Sequence, residues 1–344
     1  MQVNFIQPSY NIWGETPSDY SESVKWIEAC GRICYKSEDR ITETSAEKFV
    51  GNVCKSGHYS VIEHSNFVVE IDVPLSDYVG VYNKIIERFQ HRLAYHTIAL
   101  VHVGSHEDGI MRIQVNGNIR SWYETYETII SNRDIFQPFL KEYGDLFLID
   151  DGKKNDNSPW YPVKQCNIFN ELKRITVMCT IDRGITHEFV RHRPCSFSQE
   201  STRYVNYNNK GFDVIIPSWL DINPGEYSIN NLASKAKNQE TYDYMLSIYT
   251  SLDSYNKLVD KERGHGWVAG RGRAVLPNSI KADIAITADL AEWEHIFNLR
   301  CAPGAHEQFR QISIPMLCDF YKIYPDIFKT VYNKYIEGKE DSIN

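Results

Sequence analysis

The pattern that most restricts the fold is a pair of β-rich runs, Phe67-Val68-Val69-Glu70-Ile71 and Ile175-Thr176-Val177-Met178-Cys179-Thr180-Ile181, set about a hundred residues apart among long helical stretches. Strands alternating regularly with helices would point to a parallel, doubly wound sheet. This chain lacks that rhythm, so an α+β fold of mixed helices and antiparallel sheet is expected. Thr44-Ser45-Ala46-Glu47 has the form of a capping box ahead of Phe49, Val50, Val53 and Cys54 at helical spacing, with Gly57 as the stop. Met245, Ile248, Leu252, Tyr255 and Val259 mark the buried stripe of a long helix that Gly264 is expected to end. A further helix is expected from about Ala282 towards Arg300, and another through Phe309 and Ile312 with a kink at Pro315. From about 74 to 171 the pattern is less regular and contains the polar run 150–158, which reads as a loop. The chain therefore reads as a single domain over 1–344, interrupted by a long insertion at about 74–171.

Charge limits the partners. The formal net charge of −8 disfavours a general grip on nucleic acid or on an anionic membrane, so any anionic ligand must be small and held by a local arginine cluster. No run approaches the roughly 20 apolar residues that span a bilayer, and Met1 to Ser21 lacks a basic start followed by an apolar stretch. Cys30, Cys34, Cys54, Cys166, Cys179, Cys195, Cys301 and Cys318 lie far apart with no C-x-x-C pair. Reduced thiols in the cytoplasm are expected.

The densest polar cluster runs from Arg191 to Tyr204. A short helix beginning near Ile185 is expected to end around His192 or Arg193, because Pro194 disfavours the α conformation before it. Three basic residues at a helix C-terminus are favoured by the dipole alone. The hydrogen-bonding run that follows has the look of a binding loop. A second cluster joins Arg273-Ala274-Val275-Leu276-Pro277 to Asp289, His295 and Arg300. On a continuous helix Asp289 and Arg300 would share a face, about 20° apart. The third is Gly57-His58-Tyr59-Ser60-Val61-Ile62-Glu63-His64, which by itself would pass for a turn with satisfied histidines.

Arg191-His192-Arg193, seven residues and then Ser201 resembles the Arg-His-Arg-x7-Ser signature of the flavin-dependent thymidylate synthases. Gly31-Arg32-Ile33-Cys34-Tyr35, the Gly-His-x-Ser-x-x-Glu-His of 57–64, Arg183 to Glu188, and Val275-Leu276-Pro277 through Asn298-Leu299-Arg300 are similar to that family in order. The matches cover about 28–72 and 173–320. The resemblance implies reductive methylation of dUMP at C5 to dTMP. It also implies methylenetetrahydrofolate as carbon donor, hydride from FAD, re-reduction by NADPH, and a homotetramer with FAD at subunit boundaries. By the same resemblance His58, Ser60, Arg191, His192, Arg193, Asp289 and His295 would contact FAD. Glu188, Gln199, Glu200, Ser201, Thr202, Arg203, Arg273 and Arg300 would contact dUMP, with Arg300 also polarising the uracil ring. No metal and no protein nucleophile are implied.

Several positions depart from the family pattern. Asp289-Leu290-Ala291 stands where many members carry Asn-x-Arg, Glu188 where Gln is frequent, and Ser198-Gln199 where some show Asn-Glu. Within the insertion, Asn118-Ile119-Arg120-Ser121-Trp122 resembles the missing element. It either replaces flavin contacts, is a decayed duplicate, or is an ordinary helix start packing through Trp122. Other chemistries fit less well. His187 and His192 are spaced i and i+5, about 140° apart on a helix, so both cannot ligate one zinc ion. Pro194-Cys195 is reminiscent of the nucleophile of the other class of thymidylate synthase, but the remaining sequence does not resemble that class. Gly270-Arg271-Gly272 lacks the third Gly and the preceding strand of a dinucleotide-binding turn.

Overall fold

A computed structural model describes residues 1–89, 98–105, 109–128, 133–149, 158–262 and 264–337. The polar stretch 150–157 lies outside the described residues. The strands are β1 (Val3–Ile6), β2 (Ser9–Glu15), β3 (Asn66–Pro74), β4 (Ile98–Ser105), β5 (Ile110–Asn118), β6 (Tyr161–Pro162), β7 (Arg174–Asp182), β8 (Ser196–Gln199), β9 (Asp213–Ile215), β10 (Gly225–Tyr227) and β11 (Lys281–Asp289). They form two antiparallel four-stranded sheets, ordered β2-β7-β11-β8 and β4-β5-β3-β6, and a small sheet β10-β1-β9 with one parallel pair. Helices cover these sheets, so the architecture is α+β. Among the described residues, no helix is long and apolar enough to cross a membrane.

The two large sheets are built alike. β3 runs against β5 from Asn66↔Asn118 to Pro74↔Ile110, and β7 runs against β11 from Arg174↔Asp289 to Asp182↔Lys281. β4 flanks β5 as β8 flanks β11. Each central strand passes straight into a helix, Ile119–Thr128 after β5 and Leu290–Arg300 after β11. Asn118 Oδ1 accepts from Ser121 N at 2.8 Å, and Asp289 Oδ1 accepts from Glu292 N at 2.7 Å, each satisfying an orphan N–H of the first turn. Trp122 Nε1 donates to Phe67 O at 2.8 Å and Trp293 Nε1 to Ile175 O at 3.1 Å. In both cases the acceptor is the second residue of the partner strand, and both indoles are fully buried. The likeness between Asn118–Trp122 and Asp289–Trp293 is therefore one of three-dimensional structure as well as of sequence.

Several local expectations are met and others corrected. The helix Ala46–Lys55 is closed by Gly57 at φ +69, with Gly57 N on Cys54 O at 3.0 Å and His58 N on Val53 O at 3.1 Å, the two bonds of a Schellman motif. Its start is different. Ser45 occupies the N-cap, but its hydroxyl donates to Glu28 Oε2 at 2.7 Å, so no capping box forms. The long helix Gln239–Val259 buries all five residues of the expected stripe but stops before Gly264. Gly264 serves the loop that folds back on the helix end, where His265 N meets Lys257 O at 3.0 Å. A Cβ at 264 would lie 2.1 Å from that carbonyl. The expected helix from Ala282 begins only at Leu290. Residues 281–289 form a central strand paired on both edges, where β-branched Ile284, Ile286 and Thr287 outweigh the alanines. The expected helix through Phe309 and Ile312 spans Glu307–Ile323, with Pro315 inside it.

A chain of hydrogen bonds links the Gly57–His64 turn to the β2-β7-β11-β8 sheet. Trp26 Nε1 donates to Thr176 Oγ1 at 3.1 Å, Thr176 and Thr287 hydroxyls lie 2.6 Å apart, and Thr287 Oγ1 sits 2.8 Å from His64 Nδ1. Burial, reinforced by the nearby Arg174 guanidinium, pulls the His64 pKa from 6.5 down to about 3. The neutral ring is thus the folded form. Above pH 6.5 both states carry it neutral. Between pH 6.5 and about 3 only the unfolded state takes up the proton, so stability falls by up to about 1.4 kcal/mol per pH unit. Urea denaturation of wild type and His64→Gln should show a stability difference that shrinks as pH drops through this window. A pH-independent difference would mean that His64 does not carry the linkage.

Candidate active site

The site is organised around Arg300, the last residue of the helix Leu290–Arg300. Its Nε donates to His192 Nε2 at 3.0 Å, Nη1 to Glu188 Oε2 at 2.5 Å and Nη2 to Glu188 O at 3.1 Å. The Phe309 ring backs the guanidinium at 4.6 Å. Since His192 Nε2 accepts, its ring proton sits on Nδ1, which faces Glu292 Oε1 at 3.3 Å. Glu292 N is in turn held by Asp289. A relay of Asp289, Glu292 and His192 therefore orients Arg300. Burial lowers the Arg300 pKa, the Glu188 carboxylate opposes that shift and Arg191 adds to it. An arginine moved down from its high starting value stays cationic.

The helix carrying Glu188 spans Arg183–Phe189 and starts on Asp182, whose Oδ1 accepts from Ile185 N at 3.0 Å. It ends at Phe189, short of the expected His192 or Arg193. Arg191 and His192 lie in the turn that follows, with His192 N on Phe189 O at 2.9 Å. This turn buries His192 and leaves Arg191 and Arg193 exposed. Among the described residues no carboxylate pairs with Arg191, Arg193, Arg203 or Arg273. Asp289 and Arg300 occupy opposite ends of one short helix, and Asp289 is its N-cap. His295 is exposed. Ring nitrogens of His192 and His295 and the Glu292 carboxylate lie within 4.8 Å of one another, a donor set that tertiary packing completes by bringing in His192 and that could hold a metal ion.

The loop after β8 divides into inward and outward residues. Gln199 Nε2 donates to Thr186 Oγ1 at 2.6 Å. Glu200 is buried against Lys281 Nζ at 3.0 Å, and Thr202 is buried beside it in sequence. Ser201 N bonds Cys34 O at 3.1 Å, tying the Gly31–Tyr35 motif to the loop, and Ser201 Oγ accepts from Arg203 N at 3.2 Å. Arg203 is exposed and packs by its stem near Gly270, where a Cβ would come within 3.3 Å of its Cγ. Arg183 donates to Glu200 O at 3.2 Å, and burial together with the Arg273 charge lowers its pKa. Two guanidiniums close enough to repel each other could hold an anion.

His58 and Ser60 are exposed on the turn after Ala46–Lys55. Their neighbour Glu63 joins that turn to the site, accepting from Ser196 Oγ through its carbonyl at 3.1 Å. Arg120 of the insertion pairs with Glu63 and Glu124, each at 2.7 Å. Two carboxylates thus engage the arginine of the Asn-x-Arg-like element. Cys195 has its Sγ 3.9 Å from Glu292 Oε1, and burial raises its thiol pKa well above the ordinary value, with Glu292 adding to the shift. A protonated thiol is a poor nucleophile.

An open pocket of about 660 Å³ adjoins Arg300 and Glu188 and is lined also by Trp219, His306 and Glu307. Sequence reading did not single out Arg183, Trp219 or Glu292 as site residues. Glu292 and His295, three apart on one helix, carried a faint signal. Trp219 carried none, because only the fold brings its loop to Arg300.

Fold and site together define an α+β protein in which an arginine fixed by a glutamate and a histidine faces an open pocket. The chain belongs to the family described as thymidylate synthase complementing protein, which matches residues 18–78 and 168–326. It is 30% identical over 149 residues to a flavin-dependent thymidylate synthase of Geobacter sulfurreducens, covering 43% of this chain and 56% of that one. A flavin-dependent thymidylate synthase of Mycobacterium avium is 30% identical over 150 residues, covering 43% and 57%. The chain spans little more than half the length of these relatives. Similar solved structures include thymidylate synthase X from Helicobacter pylori with FAD and dUMP, at 17% identity, 62% and 90% coverage and TM-score 0.36. The UMP/dUMP methylase PolB from Streptomyces cacaoi, bound with 5-Br UMP, is similar at 11% identity, 97% coverage of both chains and TM-score 0.41.

Proposed function

We propose that this chain is a flavin-dependent thymidylate synthase that converts dUMP to dTMP by reductive methylation at C5. Methylenetetrahydrofolate would supply the carbon and NADPH would be the reductant. The observation that carries this reading is the set Arg191, Arg193, Arg203 and Arg273, unpaired with any described carboxylate, together with an Arg300 fixed by Glu188 and His192, in a chain of net charge −8. Arginine forks bind phosphates bidentately. The exposed Arg191 and Arg193 beside buried His192 suit the diphosphate of FAD, with His58, Ser60 and His295 as further exposed contacts. Bound FAD would supply the hydride that completes the methyl group.

The chain's own residues have separate tasks. Arg203 and Arg273, with Arg183 beside them, hold the dUMP phosphate, while Gln199 and Ser201 line its path. Glu200 and Thr202 support that loop from within. Arg300, locked by Glu188 and His192, places a positive charge at the uracil edge and stabilises the negative charge that develops on attack from C5. Asp289 acts on this centre through Glu292. No protein nucleophile is used, in keeping with the raised thiol pKa of Cys195. The same proposal takes residues 1–344 as one catalytic domain with its insertion at about 74–171, working in the cytoplasm as a homotetramer with FAD at subunit boundaries.

The test is dTMP formation from dUMP, methylenetetrahydrofolate and NADPH by the purified, FAD-supplied protein. Cys195→Ser should keep turnover within about threefold of wild type, since a thiol that is not the nucleophile contributes only packing. Loss of all turnover in Cys195→Ser, with folding intact, would overturn the nucleophile-free mechanism. A protein that binds FAD and dUMP yet forms no dTMP would overturn the function.

A further inference from the structure

We propose that Trp219 is the aromatic wall of the pyrimidine subsite, stacking on the face of the ring whose edge meets Arg300 and Glu188; this rests on the function proposed above. Trp219 lies in a turn closed by Leu220 N on Pro217 O at 3.1 Å. The turn is anchored on both sides. Ile216 N bonds Ile6 O at 2.9 Å, Ile215 N bonds Ser279 O at 2.9 Å, and Pro217 and Leu220 are buried. The indole is 53% exposed. A lone exposed apolar side chain needs no explanation, but this one lines the pocket that holds Arg300 and Glu188. His306 meets the indole edge-on, with ring centroids 5.7 Å apart at 68°. His306 also accepts from Gln308 N at 3.3 Å as the cap of Glu307–Ile323, which steadies the pair.

The chemistry of the lining selects the ligand. Arg300 donates and Glu188 accepts, which matches the carbonyl and N–H edge of a uracil ring. The face of that ring needs an apolar, polarisable partner, and among the described residues lining the pocket Trp219 is the one large aromatic side chain. Glu307 in the same lining disfavours an anion there, so the base end of the nucleotide enters and the phosphate lies towards Arg203 and Arg273.

Wild type, Trp219→Ala and Trp219→Phe are compared by equilibrium dialysis with dUMP and by retention of FAD absorbance on gel filtration. Base–aromatic stacking predicts that Trp219→Ala weakens dUMP binding on the order of 10- to 100-fold, that Trp219→Phe recovers most of it, and that FAD retention is unchanged. Titrating dUMP into wild type should also quench part of the tryptophan emission, and Trp219→Phe should lose that quench. Unchanged dUMP affinity in Trp219→Ala overturns the proposal. So does a loss confined to FAD retention or to the methylenetetrahydrofolate KM, either of which would assign the wall to the flavin or the folate ring. A wild-type protein that binds no dUMP at all overturns the functional reading as well, so the two failures are distinguishable.

Discussion

Arg300→Ala is expected to lower kcat/KM for dUMP by about 10²- to 10³-fold, the loss that follows removal of one preorganised donor at developing negative charge. The guanidinium makes three hydrogen bonds in one plane, to His192 Nε2, Glu188 Oε2 and Glu188 O, and rests on Phe309. It is therefore fixed before substrate arrives and needs no reorganisation during the reaction. Arg300→Lys should recover little, because an ammonium cannot reproduce the planar fork or its aromatic backing. Steady-state dTMP assays on both variants, with circular dichroism to confirm folding, decide the point. An Arg300→Ala enzyme within about threefold of wild type would remove Arg300 from the chemistry.

Trp293→Ala is expected to cost about 3–5 kcal/mol of stability, the range for truncating a buried aromatic residue. That is a large part of the ~5–15 kcal/mol that holds a typical domain folded. The indole is fully buried, packs on Phe297 and Phe320, and satisfies Ile175 O of β7. Trp293→Phe would keep most of the packing and lose the hydrogen bond, for about 1 kcal/mol plus the desolvated carbonyl. Because Trp122 makes the matching contact with Phe67 O, Trp122→Ala should carry a penalty of the same size. Urea denaturation measures both. A small loss at Trp122 with a large one at Trp293 would mean that the two sheets, although alike in register, differ in energetic role.

The parts legible in the sequence were those encoded locally. The stripe Met245 to Val259, the glycine stop at 57 and the strand 174–182 all follow from side-chain periodicity and from the φ freedom of glycine. The Arg191-His192-Arg193 run and Ser201 stood out because residue type and spacing carry the resemblance directly. Local pattern misled where tertiary pairing competed with it. Residues 282–288 look helical by their alanines, yet strands on both edges make them the centre of a sheet. Ser45 looks like part of a capping box, yet Glu28 on the neighbouring helix takes its hydroxyl.

What the sequence alone determined about this protein is its α+β class and the residue types of its site, arginines and histidines in a fixed order. What only the tertiary structure decided is which of them meet. Glu188 accepts from the guanidinium of Arg300, more than a hundred residues away, because the helices after β7 and β11 start at opposite ends of an antiparallel pair and the second brings its last residue, Arg300, to Glu188. Glu292 joins His192 for the same reason, and Trp219 reaches the pocket only because β9 pairs with β1 and ends its strand beside it. The doubling of the sheet, hinted at by Asn118–Trp122, was visible in full only in register. The physical reason is common to all of these. Helix and strand periods are set by neighbours a few residues away, whereas hydrogen bonds between side chains depend on how sheets stack and helices cross, which no short window of sequence contains.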